Sequence, residues 1–123
     1  MKNQAFGVEI ELTGISREKA AKVIAGYFGT ESRFEGGAYD KYTVTDSLGR
    51  KWQVVKDGSI GAQYKNGGAA PDTHKVELVT PKCGYGDIET IQGIVRKLRE
   101  AGAVANKSCG IHYATLHITF RVA

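Results

Sequence analysis

At 123 residues, with 41% hydrophobic and 24% charged side chains, the chain reads as one globular domain over residues 1–123, long enough to bury a core without staples. Two cysteines, Cys83 and Cys109, are too few for a disulfide scaffold, and no apolar run approaches the roughly 20 residues that span a bilayer. The net charge of +4 and pI near 9.1 come from scattered lysines and arginines with no basic block, which suits a mildly basic surface and leaves room for an acidic or nucleic-acid partner.

Residues 4–13, QAFGVEIELT, alternate in the strand period. Phe6, Val8, Ile10 and Leu12 fall on one face, and Gly7, Glu9 and Glu11 on the other. A helix follows in SREKAAKVIAGYFG: Ser16 offers an N-cap, Ala20, Val23, Ile24, Tyr27 and Phe28 form one stripe, and Gly29 supplies the stop. Residues 38–56 predict a hairpin, AYDKYTVTD and RKWQVVKD joined by the turn residues SLG. NGGAAPD is loop chemistry, and HKVELVT is a strand stopped before Pro81. Asp87 is placed as the cap of a second helix, DIETIQGIVRKLREAG, whose apolar face is Ile91, Ile94, Val95 and Leu98 and whose end is Gly102. The final segment, GIHYATLHITFRV, predicts one long strand.

The order β, α, β-hairpin, β, α, β predicts an α+β fold. Two amphipathic helices each need a sheet face to cover, so the expected architecture is a mostly antiparallel sheet with both helices packed on one face. Val8 and its parity partners then look toward the helices, and Glu9 and Glu11 look out from the opposite side. Carboxylates at i and i+2 on one strand stand about 7 Å apart. That spacing can flank a hard cation such as Mg²⁺, which takes oxygen ligands and substrate phosphate, or can simply be two solvated acids. With no secretory pattern in MKNQAFGVEIEL, the expected location is cytoplasmic, with no membrane association.

Four segments occur in a telling order: FGVEIELT, WQVVKDGSI, VELVTPK, and LREAGAVANKSCGIH. Together they resemble the amidoligase family of the glutamine synthetase-like carboxylate–amine ligase superfamily, over Phe6 to His112. The resemblance implies a glutamine synthetase-like sheet and an activity in which ATP phosphorylates a carboxylate and an amine attacks the acyl phosphate. It also implies roles by position. Glu9, Glu11 and Glu77 would hold Mg²⁺, while Asp57 and Ser59 of the D-G-S element and His112 are the catalytic candidates. ATP enters only under this ligase reading.

The departures from the family pattern are specific. The second histidine of the G-I-H-x-H pattern falls at Ala114, and His117, three residues on, has the opposite strand parity from His112. His112 shares its parity with Ala114, Leu116, Ile118 and Phe120, which predicts a core face and a structural histidine. Family members continue beyond this strand, whereas the sequence ends at Ala123; read with the starting Met, that suggests a complete but shortened protein with half an active site. The expectation is no ligation by the isolated chain.

Three functions follow from these residues. The first is a binding or inhibitory protein carried by a phage or mobile element, an anti-CRISPR type inhibitor of a Cas9 ribonucleoprotein in its concrete form. Its partner, a protein or ribonucleoprotein such as Cas9 or its guide RNA, would dock on a basic hairpin carrying Lys41, Arg50, Lys51, Lys56 and Lys65. The second is an ATP- and Mg²⁺-dependent amidoligase. The third is a small nuclease in which Glu9, Glu11, Asp57 and Glu77 hold a metal that activates water. The oligomeric state is left open.

Overall fold

The alternation and capping patterns account for most of the elements. The computed structural model describes residues 5–115 and 119–122, with side chains through His112. Strand β1 (Phe6–Leu12) leads to helix α1 (Arg17–Phe28), then β2 (Ser32–Gly36), β3 (Lys41–Thr45), β4 (Lys51–Val55) and β5 (Val76–Val79). Helix α2 (Ile88–Glu100) and strands β6 (Ile111–Thr115) and β7 (Thr119–Val122) complete the order. The seven strands form one sheet in the order β2-β3-β4-β5-β1-β6-β7, with every neighbouring pair antiparallel. The fold is α+β, as expected. No helix among the described residues is long and apolar enough to cross a membrane.

Each helix is placed by its ends and its apolar stripe. The backbone N–H of Lys19 donates to Ser16 Oγ at 3.1 Å, satisfying an orphan donor of the first turn of α1. Gly29 ends α1 at φ +70°, a left-handed cap that costs glycine nothing. Ala20, Ala21, Ile24 and Ala25 are buried on α1, and Ile94 and Leu98 on α2. They pack with Val8, Ile10 and Leu12 of β1 and with Val44, Trp52, Val54, Val76 and Leu78. Both helices therefore cover the sheet face that carries Val8. Burying each such side chain removes about 1.5–3 kcal/mol worth of apolar surface from water. The helices touch each other closely: a Cβ at Gly93 would lie 2.7 Å from the Tyr27 hydroxyl oxygen, so a side chain there would push the Tyr27 ring aside.

Several expectations need correction. Tyr27 is 40% exposed and lies outside the core, whose α1 contacts come instead from Ala21 and Ala25, small residues that let the helix approach the sheet. SRFEG, given no element in the sequence reading, forms the edge strand β2, because its pairing is set by β3 residues five to twelve positions away and not by its own alternation. GIHYATLHITFRV is not one strand: β6 and β7 pair antiparallel, with His112 opposite Arg121. Continuous strand-like composition hides that reversal. Leu116, His117 and Ile118 lie outside the described residues. Asp87 stands before α2 but makes no side-chain cap to it; its Oδ2 accepts from the backbone N–H of Gly84 at 2.9 Å.

Asp87 has a larger task. It receives Arg50 through two parallel bonds, Nη1 to Oδ2 at 3.0 Å and Nη2 to Oδ1 at 2.8 Å. Arg50 Nε also donates to Asp46 Oδ2 at 2.9 Å. The Asp46 side chain is 2% exposed and accepts from the indole N–H of fully buried Trp52 as well. Burial alone would raise the Asp46 carboxyl, but the bonds from Trp52 and from the backbone of Arg50 and Leu48 hold it below its usual range. Arg50 is thus a structural strut between the β3–β4 turn and the start of α2. Its guanidinium is engaged within the fold while its side chain stays 26% exposed. Arg50→Glu is expected to cost about 2–4 kcal/mol, because it strands Asp46 beside a like charge. Lys51→Glu, on an exposed side chain, should move stability by no more than about 0.5 kcal/mol. Urea unfolding of the two variants separates the cases, and equal, small losses would show that the strut carries nothing.

Candidate functional site

The sheet face opposite the helices carries the acids, and strand register brings them together. On the β1–β5 ladder Glu11 stands opposite Glu77, and on the β4–β5 ladder Val55 stands opposite Glu77. Asp57 lies just beyond β4, and its carboxylate accepts from the backbone N–H of Ser59 at 2.9 Å and from the Ser59 hydroxyl at 2.7 Å. This local turn chemistry orients Asp57. One oxygen from each of Glu11, Asp57 and Glu77 lies within 4.8 Å of the others. The β1–β6 ladder sets His112 opposite Glu9. His112 Nε2 is 3.9 Å from Glu11 Oε1, an ion pair whenever the imidazole is protonated.

The loop after Asp57 is tied across the top of the sheet. The backbone N–H of Gly61 donates to Ser108 Oγ at 2.8 Å, Asn106 Nδ2 donates to the Gly61 carbonyl at 2.8 Å, and the backbone N–H of Gln63 donates to Thr13 Oγ1 at 2.9 Å. Glu11 is 8% exposed, while Glu9, two residues earlier, is exposed. A shallow groove of 440 Å³ runs from Glu77 and Asp57 along the sheet. Val55 and Val79 line it together with Tyr39, Gln53 and Glu9.

Crowding the carboxylates has an electrostatic consequence. Burial, and then the neighbouring charges of Glu9, Asp57 and Glu11, push Glu77 up to about 7. Asp57 moves the other way: a hydrogen bond shared with the Glu11 carboxyl and the bonds from Ser59 outweigh its burial and hold it below the usual range. Adjacent carboxyls of this kind share a proton or gather around a cation. The donor set is oxygen only, which suits a hard ion such as Mg²⁺ or Mn²⁺ and not a thiophilic one. Glu11, Asp57 and Glu77 are the residues able to hold it.

The sheet, the acid cluster and the four ordered segments meet in one comparison. The protein-family model described as "Putative amidoligase enzyme" matches residues 2–120. The chain belongs to the amidoligase family. No curated protein and no solved structure matches it significantly.

Within this amidoligase-family chain, the residues marked in the sequence divide clearly. Glu11, Asp57 and Glu77 converge, whereas Glu9 borders the groove outside that group. Ser59 serves Asp57 and does not itself join the three carboxylates. His112 was expected on the core face; the register places it on the acidic face instead, because β6 pairs β1 with His112 opposite Glu9. Of the hairpin cations, Lys41 lies 3.8 Å from Glu35, and Lys56 Nζ lies 2.8 Å from Asp72. Lys51 and Lys65 are exposed. Tyr39 carried no motif, and Gln53, Val55 and Val79 lay inside WQVVKDGSI and VELVTPK with no role assigned to them. The even spacing of Gln53 and Val55 on one strand was the sole available signal, and it becomes meaningful only once β4 is seated beside β5.

Proposed function

We propose that this amidoligase-family chain is an ATP-dependent carboxylate–amine ligase, with Mg²⁺ and nucleotide phosphates held at Glu11, Asp57 and Glu77. The observation that carries the reading is the convergence of three carboxylates, from three separate segments, on one open sheet face. In the reaction, an oxygen of the substrate carboxylate forms a bond to the terminal phosphorus of ATP, and ADP leaves. The amine nitrogen then bonds the acyl carbon, inorganic phosphate departs with the C–O electron pair, and the amine proton passes to solvent. Bound Mg²⁺ supplies neutralisation of the phosphoryl oxygens. The chain's part is positioning: Ser59 fixes the Asp57 carboxylate, the strand register fixes Glu11 against Glu77, and His112 stands beside Glu11.

The missing second histidine at Ala114 argues against catalysis on the sequence alone, but the carboxylate cluster does not depend on that position. Arg50 is committed to Asp46 and Asp87, and Lys56 to Asp72, so the basic hairpin offers a Cas9 ribonucleoprotein or guide RNA far less free charge than its sequence promises. A nuclease would use the same acidic face on a phosphodiester; family membership favours acyl transfer.

ADP release measured with a panel of carboxylates and amines tests the proposal. Release that requires the amine is expected, with a loss of about 100-fold or more in Asp57→Asn, the scale of removing a preorganised electrostatic group. ADP release indifferent to amine, or unchanged in Asp57→Asn, would count against the ligase.

A further inference from the structure

We propose that the groove beside the carboxylate cluster seats the amine substrate, not the acid, and that this amine is a primary alkylamine. The inference rests on the ligase reading and identifies which of its two organic substrates lies where. A carboxylate would need a cation to meet it. Among the described residues lining the groove the one cation is Lys56, and its Nζ is turned to Asp72 at 2.8 Å. The acidic side of the lining outnumbers it, with Glu9, Asp57 and Glu77. With Asp57 and Glu77 occupied around a cation, Glu9 is the charge left to meet an ammonium.

The rest of the lining selects the body of the ligand. Val55 and Val79 add apolar lining, which favours an alkyl chain over a hydrated ammonium ion alone. Tyr39 is 66% exposed and lines the groove. It is nevertheless firmly placed. The backbone N–H of Lys56 donates to the Tyr39 carbonyl at 2.8 Å. The next residue, Asp40, sits at φ +50° and accepts from Arg17 Nε at 3.1 Å and Nη2 at 2.7 Å. Arg17 itself is 4% exposed and also donates to the carbonyls of Asp72 and Lys75. A buried arginine thus fixes the turn that carries the exposed ring at the groove. An aromatic ring, a carboxylate and aliphatic side chains lining one groove are the chemistry that recognises an alkylammonium.

The test is a titration of the isotope-labelled full chain, followed by backbone amide shifts, with n-pentylamine, n-pentanol and pentanoate as probes, with and without Mg²⁺. Saturable shifts at Gln53, Val55 and Val79 are expected with n-pentylamine and not with the other two. Glu9→Gln and Tyr39→Ala should each weaken binding about threefold, scales set by an exposed ion pair and a cation–π contact. Glu9→Asp, which keeps the charge, should recover part of the loss. Equal or tighter binding of pentanoate would overturn the proposal. So would an affinity for n-pentylamine unchanged in both variants, or no saturable shift at the groove. ADP release measured on the same samples separates the two readings: turnover with another amine but no alkylamine binding sinks the groove alone, and alkylamine binding without turnover sinks the ligase.

Discussion

Val8→Asp is expected to unfold the chain. Val8 is 3% exposed, in the middle of β1, and β1 lies between β5 and β6. Its side chain joins the cluster that both helices cover, and its backbone N–H donates to Thr80 Oγ1 at 3.0 Å. No cation stands in that apolar cluster to meet a carboxylate. An uncompensated buried charge costs about 3–5 kcal/mol, a large share of the roughly 5–15 kcal/mol that stabilises a typical fold. The neighbouring substitution Glu9→Ala, on the opposite face and exposed, should change stability by no more than about 0.5 kcal/mol. Circular dichroism melts of the two variants make the comparison. A Val8→Asp protein that melts like the wild type would mean that the helices do not cover this face.

Glu77→Gln is expected to act in two opposed directions: it should stabilise the metal-free protein above neutral pH and abolish stabilisation by Mg²⁺. Glu77 is raised from 4.5 to about 7 in the fold by burial and by its acidic neighbours. Between those values the folded chain binds more protons than the unfolded chain. Stability therefore falls as pH rises through this window, and above it the cost of the ionised carboxylate is fully present. The side chain is partly solvated, so screening reduces the formal shift to about 1–2 kcal/mol of stability. Glutamine removes that cost, so the variant should be more stable than wild type above the window and nearly equal to it below. With Mg²⁺ the order reverses. A ligand bound only by the folded state stabilises it by about 2.7 kcal/mol at a hundredfold excess over its dissociation constant. The variant loses a ligand from the three-carboxylate cluster and should gain little. Urea unfolding across the pH window, with and without MgCl₂, reads both effects. A wild-type protein equally stable on both sides of the window, or a Mg²⁺ gain that survives in the variant, would remove Glu77 from the cluster.

Local chemistry explains what could be read early. Val8, Ile10 and Leu12 alternate, so a strand with one buried face follows from β1 alone, and Ser16 and Gly29 mark both ends of α1 because caps act within a turn. The acids of the E-x-E, D-G-S and E-L-V-T elements were visible as residue types in order. Their grouping was not. Nothing near Glu11 in the chain indicates that Asp57 and Glu77 are its neighbours and Glu9 is not, since that depends on two ladders that place β4 beside β5 and β5 beside β1.

The misread positions share one cause. His112 was assigned to the core from the apolar parity of residues around it, but parity names only two faces; the β1–β6 register decides which of them is acidic. Arg50 looked like a free surface charge because Asp87, its partner, is far along the chain and looked like a helix cap. The sequence by itself determined the helices, the central strands, the apolar face and the family, all of which depend on local periodicity or motif order. Tertiary structure alone decided which acids converge, which cations are already paired, and where Tyr39 stands, because these are properties of strand register and long-range pairing, to which no local pattern is coupled.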